Sequence, residues 1–395
     1  MTPVALLYVH GSADLYGSDR VLLDLIASLD RDQFEPIVVV PARGPLVPAL
    51  EEIDVEVHVR PLSVLHRSLS PRYWMRFFGS LPGSIKTLRQ LIRQRGVQLV
   101  HTNTSHVYDG ALAARAAGVA HIWHVREVHT GLSAIGDPLS RLIYACSDLV
   151  IVVSDAVKDA FFDKHADGVG KIGIVYDGVD LDEFSPTNDG SAFRAELGLA
   201  SPTPLVGVVG RIAHWKGQLL FLKAAALARE RVPNAHFVIV GDAVTPGDHR
   251  LKQELIELVD QREMKDAVTF TGVRSDVPQI MAALNVLVLP SEMPEPWGMV
   301  VLEAMATARP VVATRQGGPL ESVEDGATGY LVPPDDPRPM AEAIVSLLQA
   351  PERGRAMGAR GRSRCELYFD QRRTHEEIQR LYEQVIKSRY GWADR

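Results

Sequence analysis

A chain of 395 residues is long enough for two large domains or three small ones. Its 46% apolar and 23% charged residues suit a well-packed soluble protein, and a net charge of −7 argues against general nucleic-acid binding. Its two cysteines, Cys146 and Cys365, lie far apart and argue against a disulfide framework or a zinc site.

The opening MTPVALLYVHG lacks a charged n-region and predicts a first strand rather than a signal peptide. No apolar run approaches the ~18 residues that a bilayer span requires. A soluble, cytoplasmic protein is expected. Strand-like apolar runs then alternate with amphipathic helices. In the first half they are VALLYV, PIVVV, VEVHV, VQLVHT, HIWHV and DLVIVVS; in the second they are PLVGVVG, AHFVIVG, AVTFTG, NVLVLP and RPVVAT. The helix SDRVLLDLIASL gathers Val21, Leu22, Leu25, Ile26 and Leu29 on one face. Short, continuously apolar strands separated by helices predict the α/β class, with parallel sheets covered on both sides. Residues 177–204 are rich in Asp, Gly, Pro and Ser and read as a connector. Two doubly wound, Rossmann-like domains are expected, over 1–182 and 200–370, facing across a cleft. Residues 371–395 are expected to form a helix crossing back to the first domain. In such folds ligands sit outside the carboxyl ends of the strands, at a switch point.

Four stretches carry chemistry. Residues 60–95 hold eight Arg or Lys and no Asp or Glu, interleaved with Tyr73, Trp74, Phe77 and Phe78. They read either as a packed helix with a solvated basic face or as a docking surface for anionic lipid headgroups. Single-stranded nucleic acid finds no second supporting feature. PLVGVVG runs directly into RIAHWKG, which places Arg211 and Lys216 at a strand's carboxyl end. SEMPEPWGMVVLEAMA begins a helix at Gly298, whose first-turn N–H groups and dipole make an anion site. Two cations and a helix N-terminus in one crevice suit a diphosphate. Carboxylates beside it would repel phosphate and so should address hydroxyls: Glu303 a ribose, Glu295 a sugar beyond the phosphate. The plain alternative is an ordinary surface pair, although an unpaired carboxylate buried in so apolar a helix would be costly. Gly317 and Gly318 allow a backbone to pass close to a ligand or make a tight turn, with Glu321 supporting that loop.

Glu295-x7-Glu303, with GRIAHWKG before it and GGPLESVEDGATGYLVPPDDP after it, resembles the retaining GT-B glycosyltransferases of family 4. The resemblance covers nearly the whole chain. YGSDRVLLDLIASL is similar to the family's glycine turn and first helix, HVREVH to its mid-domain histidine strand, and DGVDLDEF to its interdomain connector. It implies that Arg211 and Lys216 hold the diphosphate and Glu303 the ribose. It further implies that Glu295 and the backbone of Gly298, Met299 and Val300 hold the transferred sugar and its phosphate. His124 would lie near that sugar, and Gly17 and Ser18 would approach the phosphate from the first domain. Val273 and Arg274 are placed where a nucleobase would lie. The family's first turn commonly carries two glycines and a glutamate; here LYGSDR has Gly17, Ser18 and Asp19.

Bland readings stand beside these. A strand histidine such as His124 is often a core residue satisfied by a carbonyl. His129 makes no metal pair with it, since no third ligand follows at useful spacing. Arg126 and Glu127 read as a simple pair. DLD at 180–182 imitates the DxD of metal-dependent glycosyltransferases, but within the connector it reads as turn chemistry. No essential metal or other cofactor is expected.

The implied reaction moves a hexose or related sugar from a UDP- or GDP-type donor to an acceptor hydroxyl, keeping the anomeric configuration. The leaving diphosphate is stabilised electrostatically. No obvious carboxylate nucleophile is available for double displacement. The basic aromatic stretch points to a glycan or lipid-linked acceptor in surface-polysaccharide assembly, at the inner face of the cell membrane. A sugar-nucleotide epimerase and a non-catalytic sugar-nucleotide binder are the alternatives. A dinucleotide-dependent oxidoreductase fails, because HGSADLYG spaces its glycines six apart. P-loop and serine-hydrolase signatures are absent as well.

Overall fold

The computed structural model describes residues 2–65, 70–128, 133–162, 170–200 and 202–391, with the side chains of 133–137 outside that description. His129 and residues 66–69 of the basic stretch therefore lie outside the described residues. The chain forms two compact units: Met1–Tyr176 with Arg372–Arg395, and Asp177–Gln371.

The first unit is built on a seven-stranded parallel sheet of β1 (Val4–Val9), β2 (Phe34–Val40), β3 (Glu56–Val59), β4 (Leu99–Thr102), β5 (Ala120–Val125), β6 (Leu149–Val152) and β7 (Ile172–Ile174). The spatial order is β3-β2-β1-β4-β5-β6-β7, so the winding reverses between β1 and β4. Every residue of β1 and β5 is buried, as expected for strands with helices on both faces. The helix Gln371–Tyr390 returns to this unit, with Ile378, Tyr382 and Ile386 one turn apart in its core. Tyr382 lies edge-on to Phe34 at 5.9 Å and to Tyr8 at 6.4 Å. Burying each such side chain contributes roughly 1.5–3 kcal/mol.

The second unit holds β8 (Leu205–Val209), β9 (His236–Val240), β10 (Val268–Gly272), β11 (Val286–Leu289), β12 (Val311–Thr314) and β13 (Gly329–Val332). Their order is β10-β9-β8-β11-β12-β13, all parallel, with reversal between β8 and β11. β7 and β13 are strands the sequence reading lacks. Both are sheet edges of three or four residues, too short and too mixed to show as apolar runs.

Residues 177–182 belong to the second unit, and the expected connector also contains the helix Ser191–Glu196. The segments 178–180 and 369–371 run side by side: the Val179 N–H donates to the Phe369 carbonyl at 2.8 Å, and the Gln371 N–H donates to Val179 O at 3.1 Å. A Cβ on Gly178 would sit 2.4 Å from Gln371 Cα, so only glycine fits that pairing. Asp180 of the DLD run uses Oδ1 to accept the N–H groups of Asp182 and Glu183, which is turn chemistry.

Candidate functional site

The reversal between β8 and β11 places two loops at the carboxyl ends of neighbouring strands. They are 210–217 after β8 and 290–298 after β11. They are stitched to each other. The Glu292 N–H donates to Trp215 O at 2.9 Å, and Gly217 (φ +71°) sits where a Cβ would meet the Pro290 carbonyl oxygen at 1.8 Å. Buried Gln218 closes the first loop, with its Nε2 donating to Arg211 O at 3.0 Å. Thr314 Oγ1 and Gln316 Nε2 both donate to Ser291 O at 2.7 Å, tying the end of β12 to the second loop.

Within that frame Lys216 Nζ lies 2.8 Å from Glu295 Oε1. Ser291 Oγ donates to Glu295 Oε2, also at 2.8 Å. The Glu295 carbonyl accepts from the Gly318 N–H at 2.8 Å. The Lys216 ammonium stands 4.1 Å from the centre of the Trp215 ring, a second restraint on its position. Glu295 is only 6% exposed, so its charge is stabilised by one cation and one hydroxyl in a dry setting. Each carboxylate oxygen keeps lone-pair capacity for a further donor. Ser291 is absent from the sequence expectations, although a serine two residues past β11 and four before the acid is a readable signal.

Gly298 has φ +87° and caps the helix Met299–Ala306, a left-handed conformation that glycine adopts without penalty. In that helix Val301, Leu302, Ala304, Met305 and Ala306 are buried, whereas Met299, Val300 and Glu303 are half-buried on its other side. The expectation of a buried Glu303 is thus corrected: the helix turns its one acid away from the core, so burial imposes little cost. Arg211 is exposed and acts electrostatically on Asp248. Gly317 and Gly318 answer to the protein's own backbone. A Cβ on Gly317 (φ +67°) would lie 2.1 Å from Glu295 O, and one on Gly318 would lie 2.5 Å from Trp297 Cα. Trp297 Nε1 donates to Asp177 O at 2.8 Å, which anchors the loop to the connector. The Glu321 carbonyl accepts from Arg364 Nη2 at 2.9 Å.

Val273 is 70% exposed just past β10. Arg274 is committed elsewhere: its guanidinium meets both Glu196 oxygens at 2.8 and 3.0 Å and both Asp276 oxygens at 2.8 Å. Hydrogen bonds from Asp276 and Glu196 push its pKa up further. The Arg274 fork is therefore occupied by these two acids, while the Val273 side chain beside it is exposed.

In the first unit, Gly17 and Ser18 are exposed at the start of the helix Gly17–Ala27. A Cβ on Gly17 would meet none of the described residues, so packing does not demand that glycine. Asp19 is buried. It accepts the Tyr16 N–H at 3.0 Å and lies 2.7 Å from His10 Nε2. His124, on β5, is fully buried, with Nδ1 3.4 Å from Arg126 Nη2 and its ring 5.4 Å from that of His101. Burial first, then Arg126 and His101, hold its pKa well below the usual imidazole value. The guanidinium of Arg126 turns to Asn103 and His124 rather than to Glu127, which meets only the backbone N–H of Arg126 at 3.2 Å. Glu127 instead accepts from Thr104, Ser105 and His106. Burial would raise its pKa, but those partners hold it well below the usual carboxylate range.

The basic stretch divides in two. The helix Pro71–Gln94 buries Leu88, Leu91 and Ile92 of its second half against Ala113 and Ala114. Its first half leaves Met75 and Phe78 at 69% and 62% exposure, with Arg72 and Arg76 exposed beside them. Trp74 stacks on Phe78 at 5.8 Å and Tyr73 on Phe77 at 6.1 Å. Among the described residues no helix is long and apolar enough to cross a membrane.

The family model described as Glycosyl transferases group 1 matches residues 189–364, and the one described as Glycosyltransferase Family 4 matches residues 16–183. The α-maltose-1-phosphate synthase of Mycolicibacterium smegmatis is 31% identical over 314 residues, which cover 73% of this chain and 79% of that one. The D-inositol 3-phosphate glycosyltransferase of Segniliparus rotundus is 33% identical over 279 residues, 69% of this chain; the match spans 58% of that relative's length. Among solved structures, Anabaena HepE in complex with UDP matches with a TM-score of 0.80 at 25% identity, covering 96% of this chain and 100% of HepE.

Proposed function

The chain belongs to the glycosyl transferases of group 1, and from that premise we propose that it moves a sugar from a nucleoside-diphosphate donor to an acceptor hydroxyl with retention of anomeric configuration. The observation that carries this reading is the Lys216–Glu295 pair held beside the glycine that opens the helix Met299–Ala306. Lys216, Arg211 and the first-turn N–H groups of Met299 and Val300 bind the diphosphate and stabilise it as the glycosidic bond breaks. Glu303, half-buried on the open side of that helix, takes the ribose hydroxyls. Glu295 takes sugar hydroxyls with its remaining lone pairs. Because Glu295 is engaged by Lys216 and Ser291, it is a poor nucleophile. The acceptor then attacks on the face the diphosphate leaves, and a phosphate oxygen removes its proton. Gly17 and Ser18 approach the phosphates, Val273 lies against the base, and His124 donates to a substrate oxygen. The complex of HepE with UDP, at 25% identity, supports a uridine nucleotide in this donor.

Donor incubated alone and then with candidate acceptors tests the reading. Glycosylated product is expected. Isomerised donor would make the chain an epimerase, and unchanged donor would make it a binding protein.

The acceptor is a glycan or lipid-linked saccharide of surface-polysaccharide assembly, met at the inner membrane face. The exposed Met75 and Phe78 beside Arg72 and Arg76 support this: apolar side chains enter the interface while the bases meet anionic headgroups. Liposomes containing anionic lipid should co-sediment the protein. Arg72→Gln with Arg76→Gln should weaken binding by roughly thirtyfold, at about 1 kcal/mol per base. Undiminished binding by that variant contradicts membrane docking.

A further inference from the structure

Five polar side chains in the first unit form one continuous line from the helix start at Gly17 to His124. Asp19 Oδ1 lies 2.7 Å from His10 Nε2, and His10 Nδ1 lies 3.3 Å from Asn103 Nδ2. Asn103 Oδ1 accepts from Arg126 Nε at 2.8 Å, and Arg126 Nη2 reaches His124 Nδ1 at 3.4 Å. All five are buried, and they come from the carboxyl ends of β1, β4 and β5 and from the first helix. The donor at each link is determined. A guanidinium can only donate, so Asn103 receives on its oxygen and gives its NH2 to His10. His10 then accepts at Nδ1 and gives its Nε2 proton to Asp19. At the other end the same guanidinium gives a proton to His124 Nδ1.

We propose that Arg126 is a positioning residue for His124: by occupying Nδ1 it fixes the ring so that Nε2–H is presented as an uncharged donor to a substrate oxygen. His124 Nε2 is buried and has no hydrogen-bond partner among the described residues, a donor whose satisfaction is left to what binds. This assignment rests on the reading of the chain as a glycosyltransferase, and it refines the part of His124. The imidazole acts as a fixed dipole and carries no proton between substrates.

The groups around His124 favour the same state. Arg126 faces it from beyond the end of its own strand, and His101 faces it from β4. His101 Nδ1 lies 2.7 Å from the Tyr382 hydroxyl of the C-terminal helix, which in turn accepts from Tyr8 of β1 at 3.2 Å. That line makes Nδ1 the acceptor in His101 too. The acid of the network, Asp19, stands at the far end of the line, with His10, Asn103 and Arg126 between it and His124. Among the described residues, therefore, no carboxylate neighbouring His124 favours a charged ring.

Proton–nitrogen correlation spectra of 15N-histidine protein test this without any donor. The wild type is expected to show His124 as the Nε2–H tautomer, unchanged in shift from about pH 8 down to pH 5.5. Arg126→Met should release it, giving tautomer exchange and a higher pKa, while burial still holds that pKa below the ordinary imidazole value. Turnover by that variant should fall at least tenfold and acquire an acid limb in its pH profile. Arg126→Lys should restore a flat profile. A wild-type His124 protonated on Nδ1, or titrating near its ordinary pKa, overturns the proposal. So does a Met variant with the wild-type tautomer and pH profile. If the tautomer is as expected but no donor is ever turned over, the glycosyltransferase reading fails and the positioning by Arg126 stands.

Discussion

Replacing Lys216 with alanine is expected to damage both stability and turnover, and a second substitution should separate the two. Removing the ammonium leaves the Glu295 carboxylate charged, with its side chain 8% exposed and Ser291 as its remaining side-chain partner among the described residues. Breaking a fully buried ion pair on one side costs roughly 3–5 kcal/mol. Because the Lys216 side chain is 21% exposed, screening reduces the expected loss to about 2 kcal/mol. Neutralising the stranded acid should return most of that, so Lys216→Ala with Glu295→Gln should unfold in urea close to the wild-type midpoint. Turnover should stay at least 100-fold down in both variants, the scale seen when one donor to a developing anion is removed. Urea unfolding and initial rates on the same preparations decide the matter. A Lys216→Ala protein as stable as wild type would mean that the pair is not held in solution. A double variant with normal turnover would remove Lys216 from the chemistry.

The second large effect is acid sensitivity of the first unit. His101, His121 and His124 are fully buried, and burial is the leading cause that lowers each of their pKa values, that of His121 to about 3. The native state keeps these rings uncharged while the unfolded chain binds protons below the ordinary value of 6.5. A depressed histidine therefore contributes stability that is complete above 6.5 and lost as pH falls. Each costs about 1.4 kcal/mol per pH unit, so three cost about 4. His106 works in the opposite direction. Burial lowers its pKa, but Glu127 more than offsets this and raises it, so its contribution is present below 6.5 and fades only as pH rises. Glu127, depressed, withdraws its own contribution only nearer the carboxylate range. The net expectation is a urea midpoint that is steady from about pH 8 to 7 and drops steeply between about pH 6 and 5. His121→Gln should make that drop about one-third shallower. A midpoint that does not change across the range would show that the three rings bind protons equally in both states.

Much of the fold was legible because buried parallel strands are written as unbroken apolar runs. VALLYV, HIWHV and NVLVLP each mark a strand. β7 and β13 were illegible because an edge strand is covered on one side only and carries glycine or tyrosine where a central strand needs aliphatic residues. At the site, motif spacing singled out Lys216, Glu295 and Gly298, and the structure brings those three together between β8 and β11. Spacing could not say that Gly317 and Gly318 make room for the backbone of Glu295 and Trp297, because that contact depends on β12 lying beside β11. Nor could it show that Glu196, 78 positions upstream, occupies the Arg274 fork. The line from Asp19 to His124 was equally hidden, since its members are spread over more than 100 residues and meet only through the order of β1, β4 and β5. The local substitution of Asp19 for a glutamate is its one trace in sequence, and the shorter acid is the one that reaches both Tyr16 and His10.

The most direct test follows the anomeric proton by NMR while the protein turns over an α-linked UDP-sugar in the presence of a saccharide acceptor. The account predicts appearance of an α-glycoside together with UDP at matching rates, both abolished by Arg211→Ala with Lys216→Ala. A β-glycoside, or glycoside formed at an unchanged rate by that double variant, would contradict it.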